Sequence, residues 1–380
     1  MNPVQTPADI RPLTALRFFA AFWVALYTFW PNLDAGFVPY LTTKGYLGVE
    51  LFFILSGFIL SHVYLAAFGE KRFAYRTFLW ARVARVYPLH LFTLFGVMVL
   101  GLVAVAVGIS IDANVLSWET LPAHLLLLHA WGLVGEAGWN HPSWSISAEW
   151  LAYLAFPVFA AAAWALRERP WAAVGLTATG MVATYLMFER LTGSPLTLAT
   201  FHWGALRIIP CFAYGCALYL VYRRAPLPQA WLLALAAAAV MLASASSLVW
   251  DGITVLASGL LILALASVPK EKAGILGSRP AVYLGEISYA LYMVCAPWQM
   301  LAVNLAARAS GAEDKALPLA WWLAVMAGLI LAAALTYQII ERPARTFLRG
   351  LARTGPRSVS SVDQTSKQLE TVLQPSEPIS

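Results

Sequence analysis

Asn140-His141-Pro142-Ser143-Trp144-Ser145-Ile146-Ser147-Ala148-Glu149-Trp150 sets a carboxylate at the mouth of an apolar run that continues to residue 166. Burying charge in hydrocarbon is expensive, so an ionisable side chain at membrane depth is a functional candidate. Pro142 favours an extended approach, and Ser145 or Ser147 can cap a helix. Glu149 is then expected in the first helical turn, facing inward, with Trp144 near the interface. A capped helix start with a solvated Glu would read the same way, but similar polar intrusions recur along the chain.

Around this stretch the chain is 60% hydrophobic and 12% charged over 380 residues, with mean hydropathy +0.69. Soluble domains are about 45–50% apolar, so the composition implies an all-α, polytopic integral membrane protein. Runs of about 17 to 25 apolar residues cross a bilayer core. Ten are present: 12–31, 45–67, 86–108, 147–166, 171–188, 204–222, 229–247, 252–268, 281–305 and 319–340. The first follows Arg11, contains Arg17 and has no small-residue cleavage site behind it, so no signal peptide is expected.

Basic residues fix the expected orientation. Lys71, Arg72, Arg76, Arg82, Arg85, Arg167, Arg169, Arg223, Arg224, Lys270, Lys272, Arg279, Arg342, Arg345, Arg349 and Arg353 fall in one set of loops. The opposite set holds Lys44, Arg190, Arg308 and Lys315. With ten crossings both termini face the cytoplasm. The net charge of +6 is explained by these loops and does not point to nucleic acid. The segment 121–134 is apolar but too short to cross and is expected as an interfacial or re-entrant piece on the outside. Residues 1–354 read as one membrane domain and 355–380, rich in Ser, Thr, Gln and Glu, as a disordered cytoplasmic tail. No internal repeat supports an inverted-repeat transporter.

The polar residues inside the runs sort by depth. Arg17 lies on the cytoplasmic side of the first run, and position 28, a Thr, is about 16 Å further out. Glu50 opens the second run, in which Ser56 and Gly57 allow close helix packing at mid-depth. Arg82 and Arg85, three apart, share a helix face and can clamp a phosphate, or serve as two positive-inside anchors; the spacing leaves both open. Arg207, on the outer side, can line a cavity or pair with Glu149, Glu189 or Asp251. His62 and His90 fit interhelical hydrogen bonding, no His pair has metal spacing, and three cysteines give neither a zinc set nor a disulfide framework.

Leu13 to Ala21 with Arg17, Gly48 to Phe58, Arg82 to Pro88, Trp144 to Glu149, Tyr283 to Tyr292 and Ile340-Glu341-Arg342-Pro343 together resemble the ordered signatures of the membrane acyltransferase-three family. The likeness spans the whole ten-run core, and its short form carries no fused extracytoplasmic esterase-like (SGNH) domain. The resemblance implies O-acylation in a bacterial inner membrane. An acyl group, usually acetyl, would pass from cytoplasmic acyl-coenzyme A to a hydroxyl of an exopolysaccharide, a lipid-linked sugar or another envelope glycan, with polysaccharide-assembly proteins as partners. It implies Arg17, Arg82 and Arg85 at coenzyme A. With the donor there, Glu149 is expected at an outer acceptor pocket with Ser147 and Arg207, and Trp144 against a sugar ring.

The family places His at position 28 and at position 295; here they are Thr28 and Cys295. Thr is no base near neutral pH. Glu149 or Glu50 could serve as the base, Cys295 could accept the acyl group, or the chain could be a disabled relative that keeps the fold. From another class, a lipid-linked sugar transporter would also use buried Arg and Glu, but would spread them through the membrane depth.

Overall fold

A computed structural model describes residues 10–108, 112–312 and 314–353. The tail expected from 355 lies outside the described residues. Among those described no strand forms, and pairing is limited to one bridge between Leu33 and Leu317. The helices are α1 Arg11–Phe29, α2 Gly48–Gly69, α3 Tyr75–Ala106, α4 Ser143–Leu154, α5 Phe156–Ala165 and α6 Pro170–Thr192. They continue as α7 Gly204–Arg224, α8 Ala230–Ala245, α9 Asp251–Ala266, α10 Arg279–Trp298, α11 Leu319–Thr336 and α12 Arg342–Arg353.

Seven helical stretches are long and apolar enough to cross a membrane, and the α4–α5 pair, bent by 58°, would make an eighth. Helices α8 and α9 have 16 residues each, about 24 Å of rise against a hydrocarbon core of about 30 Å. Each of the ten apolar runs overlaps one of these helices, except 147–166, which is divided between α4 and α5; 281–305 runs on past α10 through a π-helical turn, Gln299–Val303. The bend at Ala155 has a cause in the sequence: Pro157 removes a backbone donor and crowds the preceding turn. Helix α3 starts at Tyr75, well before the expected 86, so Arg82 and Arg85 lie inside a helix of 32 residues rather than at its mouth. The polar sequence from 75 to 85 is helical because its apolar side, led by the buried Phe78, packs inward.

Helix α7 is the hub, with 83% of its apolar window buried, whereas α6, at 22%, is peripheral. Its contact with α2 is made by two reciprocal glycines. A Cβ on Gly57 would stand 2.1 Å from the Phe212 carbonyl oxygen, and one on Gly215 would stand 2.0 Å from that of Ile54. Small residues let backbones touch where lipid supplies no hydrophobic drive. The segment 121–134 folds as one short helix, Leu121–Leu125, followed by turns. Leu127, His124, His129 and Ala130 are fully buried, and non-helical backbone at membrane depth is tolerated where protein covers it.

Candidate active site

An elongated cavity of about 170 Å³ lies between α1, α2, α3, α4 and α10. Along α2 its lining runs from Val49 to Leu60, about 16 Å of axial rise. Toward Val49 the wall is mainly apolar, with Phe52, Phe53 and Ile146, and the hydroxyls of Ser145 and Tyr292 interrupt it. The opposite end gathers Arg17, Arg82 and Arg85, and Glu149 and Tyr153 face the same space.

Each charged group reaches the cavity for a local reason. Arg82 and Arg85 share one face of α3 through their three-residue spacing. Arg82 is framed by the rings of Tyr64, Phe78 and Tyr153 at 5.7 to 5.9 Å, a setting that suits a guanidinium better than an ammonium. Its Nη2 reaches the Tyr64 hydroxyl at 3.5 Å, and its buried Nε has no partner among the described residues. Arg85 is ion-paired to Glu341 and stacks over Tyr289 at 5.3 Å. Arg17, on α1, lines the cavity in the electrostatic field of Glu341 and Glu149. Glu149 Oε1 accepts a 2.7 Å hydrogen bond from Ser56. Three guanidiniums thus share two carboxylates, and the cavity keeps a cationic surplus that fits a phosphorylated ligand.

Glu149 stands seventh in α4, in its second turn and not its first, because the helix begins at Ser143. Neither Ser145 nor Ser147 caps it. The expected division, with Arg at one level and Glu149 at another, is replaced by a single cavity holding both.

The remaining candidates lie elsewhere. Arg207 pairs with Glu50, none of the three carboxylates expected: Nη2–Oε1 is 2.5 Å and Nε–Oε1 2.7 Å, with both side chains fully buried. Arg207 Nη1 also donates to the Ala199 carbonyl at 2.7 Å, and its guanidinium lies 4.4 Å from the Trp144 ring. Trp144 itself is 4% exposed; Arg207, the edge of Phe53 and the backbone of Gly204 take its surface. Ser147 accepts from Ala130 N at 3.0 Å and donates to the Leu127 carbonyl at 2.7 Å. Its own carbonyl takes the Trp131 Nε1–H at 2.9 Å. It clamps the 121–134 segment to α4.

Thr28 does not line the cavity. Its hydroxyl is bonded back to the Val24 carbonyl at 3.0 Å, and Gln299 caps its own carbonyl at 3.1 Å. Gly48 packs on Ala20 and Val24, so Thr28 stands one turn beyond the Val49 end. Cys295 is buried and bonds back to the Leu291 carbonyl at 3.2 Å.

Sequence reasoning passed over a buried polar cluster beside α4. The His124 and His129 rings stack at 4.1 Å, with His90 parallel to His129 at 6.4 Å. His90 Nε2 meets the His124 carbonyl at 2.8 Å, and Ser143 meets His129 Nε2 at 3.0 Å. Asn140 donates to Thr93 and to the Met293 carbonyl at 2.9 and 3.1 Å. Burial holds His129 well below its ordinary pKa, and the neighbouring imidazoles act in the same direction. The signal available in the sequence was the polar density of Asn140-His141-Pro142-Ser143 next to an apolar segment with two His.

The family model described as an acyltransferase domain (Acyl_transf_3) matches residues 11–339, nearly all of the helical core. The chain belongs to this acyltransferase family. It is similar to "Acyltransferase MdmB" of Streptomyces mycarofaciens, with 30% identity over 372 residues, covering 88% of this chain and 92% of the relative. It also resembles "Protein 2 in picA locus" of Rhizobium radiobacter, at 47% identity over 51 residues, 13% of this chain and 27% of that protein. No solved structure matches it significantly. The chain is thus a multi-pass membrane acyltransferase of the class that transfers groups other than aminoacyl.

Proposed function

We propose that this acyltransferase moves an acetyl group from cytoplasmic acetyl-coenzyme A to a sugar hydroxyl of an exopolysaccharide or related envelope glycan, at a bacterial inner membrane. The observation that carries the reading is the convergence of Arg17, Arg82, Arg85 and Glu149 on one elongated cavity with an apolar far end. Guanidiniums hold phosphate oxygens by charge-assisted hydrogen bonds, and Arg82 Nε is available for one. The apolar wall of Val49, Phe52, Phe53 and Ile146 suits the uncharged pantetheine and acyl portion. Glu149 is the base in this reading, since neither Thr28 nor Cys295 faces the cavity. Its carboxylate takes the proton of the acceptor hydroxyl while that oxygen attacks the thioester carbonyl. As the carbon–sulfur bond breaks, the Glu149 carboxyl gives that proton to the departing sulfur, so coenzyme A leaves as the thiol and Glu149 is again a carboxylate.

Acetyl-coenzyme A should raise the melting temperature of the purified protein, and Arg17→Gln should abolish most of the rise. Arg17 makes the clearest variant because no hydrogen bond or ion pair ties it to another described side chain, whereas removing Arg85 strands the buried Glu341. No shift with wild type at saturating donor would refute the reading.

A further inference from the structure

The basic end of the cavity continues onto α12. Trp80 Nε1 donates to the Leu348 carbonyl at 2.7 Å, pinning α12 to α3 two residues before Arg82. Arg345 and Arg349, four apart, share a face of α12. Arg345 Nη1 lies 3.7 Å from Glu341 Oε1, the same carboxylate that pairs with Arg85. Arg349 is exposed and lies within electrostatic range of Arg345, Arg82, Arg85 and Tyr64. Two guanidiniums, Arg85 and Arg345, thus pair with the carboxylate of Glu341, and Arg82 and Arg349 add two more positive charges within electrostatic range of them. Anchors for lipid headgroups need only splay outward one at a time. Charges crowded this closely repel one another unless a polyanion lies among them.

We infer that Arg345 and Arg349 form the entrance of the donor site and bind the 3′-phosphate of the coenzyme A ribose. The proposal rests on the acyl-coenzyme A reading above. Arg17, Arg82 and Arg85 then meet the pyrophosphate deeper in, and the thioester lies further along the cavity. The ribose phosphate lies at the end of the donor remote from the reacting carbon, so its recognition bears on donor affinity and not on the chemical step.

The test compares acetyl-coenzyme A with 3′-dephospho-acetyl-coenzyme A, by calorimetric dissociation constant and by KM. Wild type should prefer the full donor. Arg349→Gln, a surface change that spares folding, should weaken acetyl-coenzyme A about five- to tenfold and the dephospho form much less, so the preference collapses. Arg349→Lys should retain part of the preference, and Arg345→Gln should reduce it further in combination. Equal weakening of both donors, or a wild type indifferent to the 3′-phosphate, overturns the proposal and leaves the acyl-coenzyme A reading standing. A wild type that binds neither donor sinks both. An anionic headgroup shares the phosphate chemistry, so the same variants are melted in nanodiscs with and without phosphatidylglycerol. A lipid-dependent rise lost in Arg349→Gln, with donor preference intact, assigns the pair to lipid and also overturns the proposal.

Discussion

Glu149 sits where the Ser56 hydroxyl holds one carboxylate oxygen, with Tyr153 beside it, and three arginines share the surrounding cavity. Glu149→Gln keeps the shape and removes the proton acceptor. Acyl transfer should fall by about 10²- to 10⁴-fold, while the stabilisation given by acetyl-coenzyme A survives. Equal loss of both would make its role structural. Glu50 and Arg207 behave differently: a fully buried pair, closed off by Trp144, holds α2 to α7. Arg207→Met leaves an uncompensated carboxylate and should cost about 3–5 kcal/mol. Adding Glu50→Gln should restore most of that in a denaturation assay. A single variant as stable as wild type would return Glu50 to the list of candidate bases. The charged residues were visible in the sequence as intrusions into apolar runs, but their pairing was not. Which carboxylate meets Arg207 depends on the rotation of α2 and α7 about their axes, and the featureless apolar surfaces around them carry no periodicity that reports it.

Among the elements, the 121–134 segment is held by groups from three helices: Ser147 of α4, His90 of α3 and Ala205 of α7, whose N–H donates to the Ala130 carbonyl at 2.9 Å. His129, outside the spanning helices, is neutral when folded because burial depresses its pKa. The unfolded chain takes up a proton below about pH 6.5, whereas the folded chain resists it. Stability is therefore complete above that value and is lost as pH falls toward the folded pKa. The melting temperature should decline between about pH 6.5 and 5, and His129→Gln should flatten the decline; an unchanged slope would remove His129 as its source. The apolar helices were legible because bilayer thickness imposes a length on spanning runs, although seven or eight of the ten runs, not all, make helices long enough to cross. Two boundaries were not. The start of α3 is helical through packing of Phe78 and its aromatic neighbours, and the bend after α4 follows from Pro157, which a hydropathy window averages away.

Across the whole molecule, the family's ordered signatures converge. Arg17, the α3 pair, Glu149, Tyr289 and Tyr292 line one cavity, and Glu341 lies directly behind Arg85. That convergence was legible from motif order and from the clustering of arginines on one side, whereas the merging of donor and acceptor groups into one space required the fold. Thr28 and Cys295 stand outside this space, so acyl transfer does not depend on an imidazole at either position if Glu149 supplies the base. The measurement that tests this most directly is transfer of label from radiolabelled acetyl-coenzyme A to envelope or secreted glycans in cells lacking the gene, comparing the natural sequence with Thr28→His and Glu149→Gln. The account predicts labelling by the natural sequence and by Thr28→His, and labelling lowered by about a hundredfold or more in Glu149→Gln. Labelling by Thr28→His alone would contradict it and mark this chain as a disabled relative that keeps the fold.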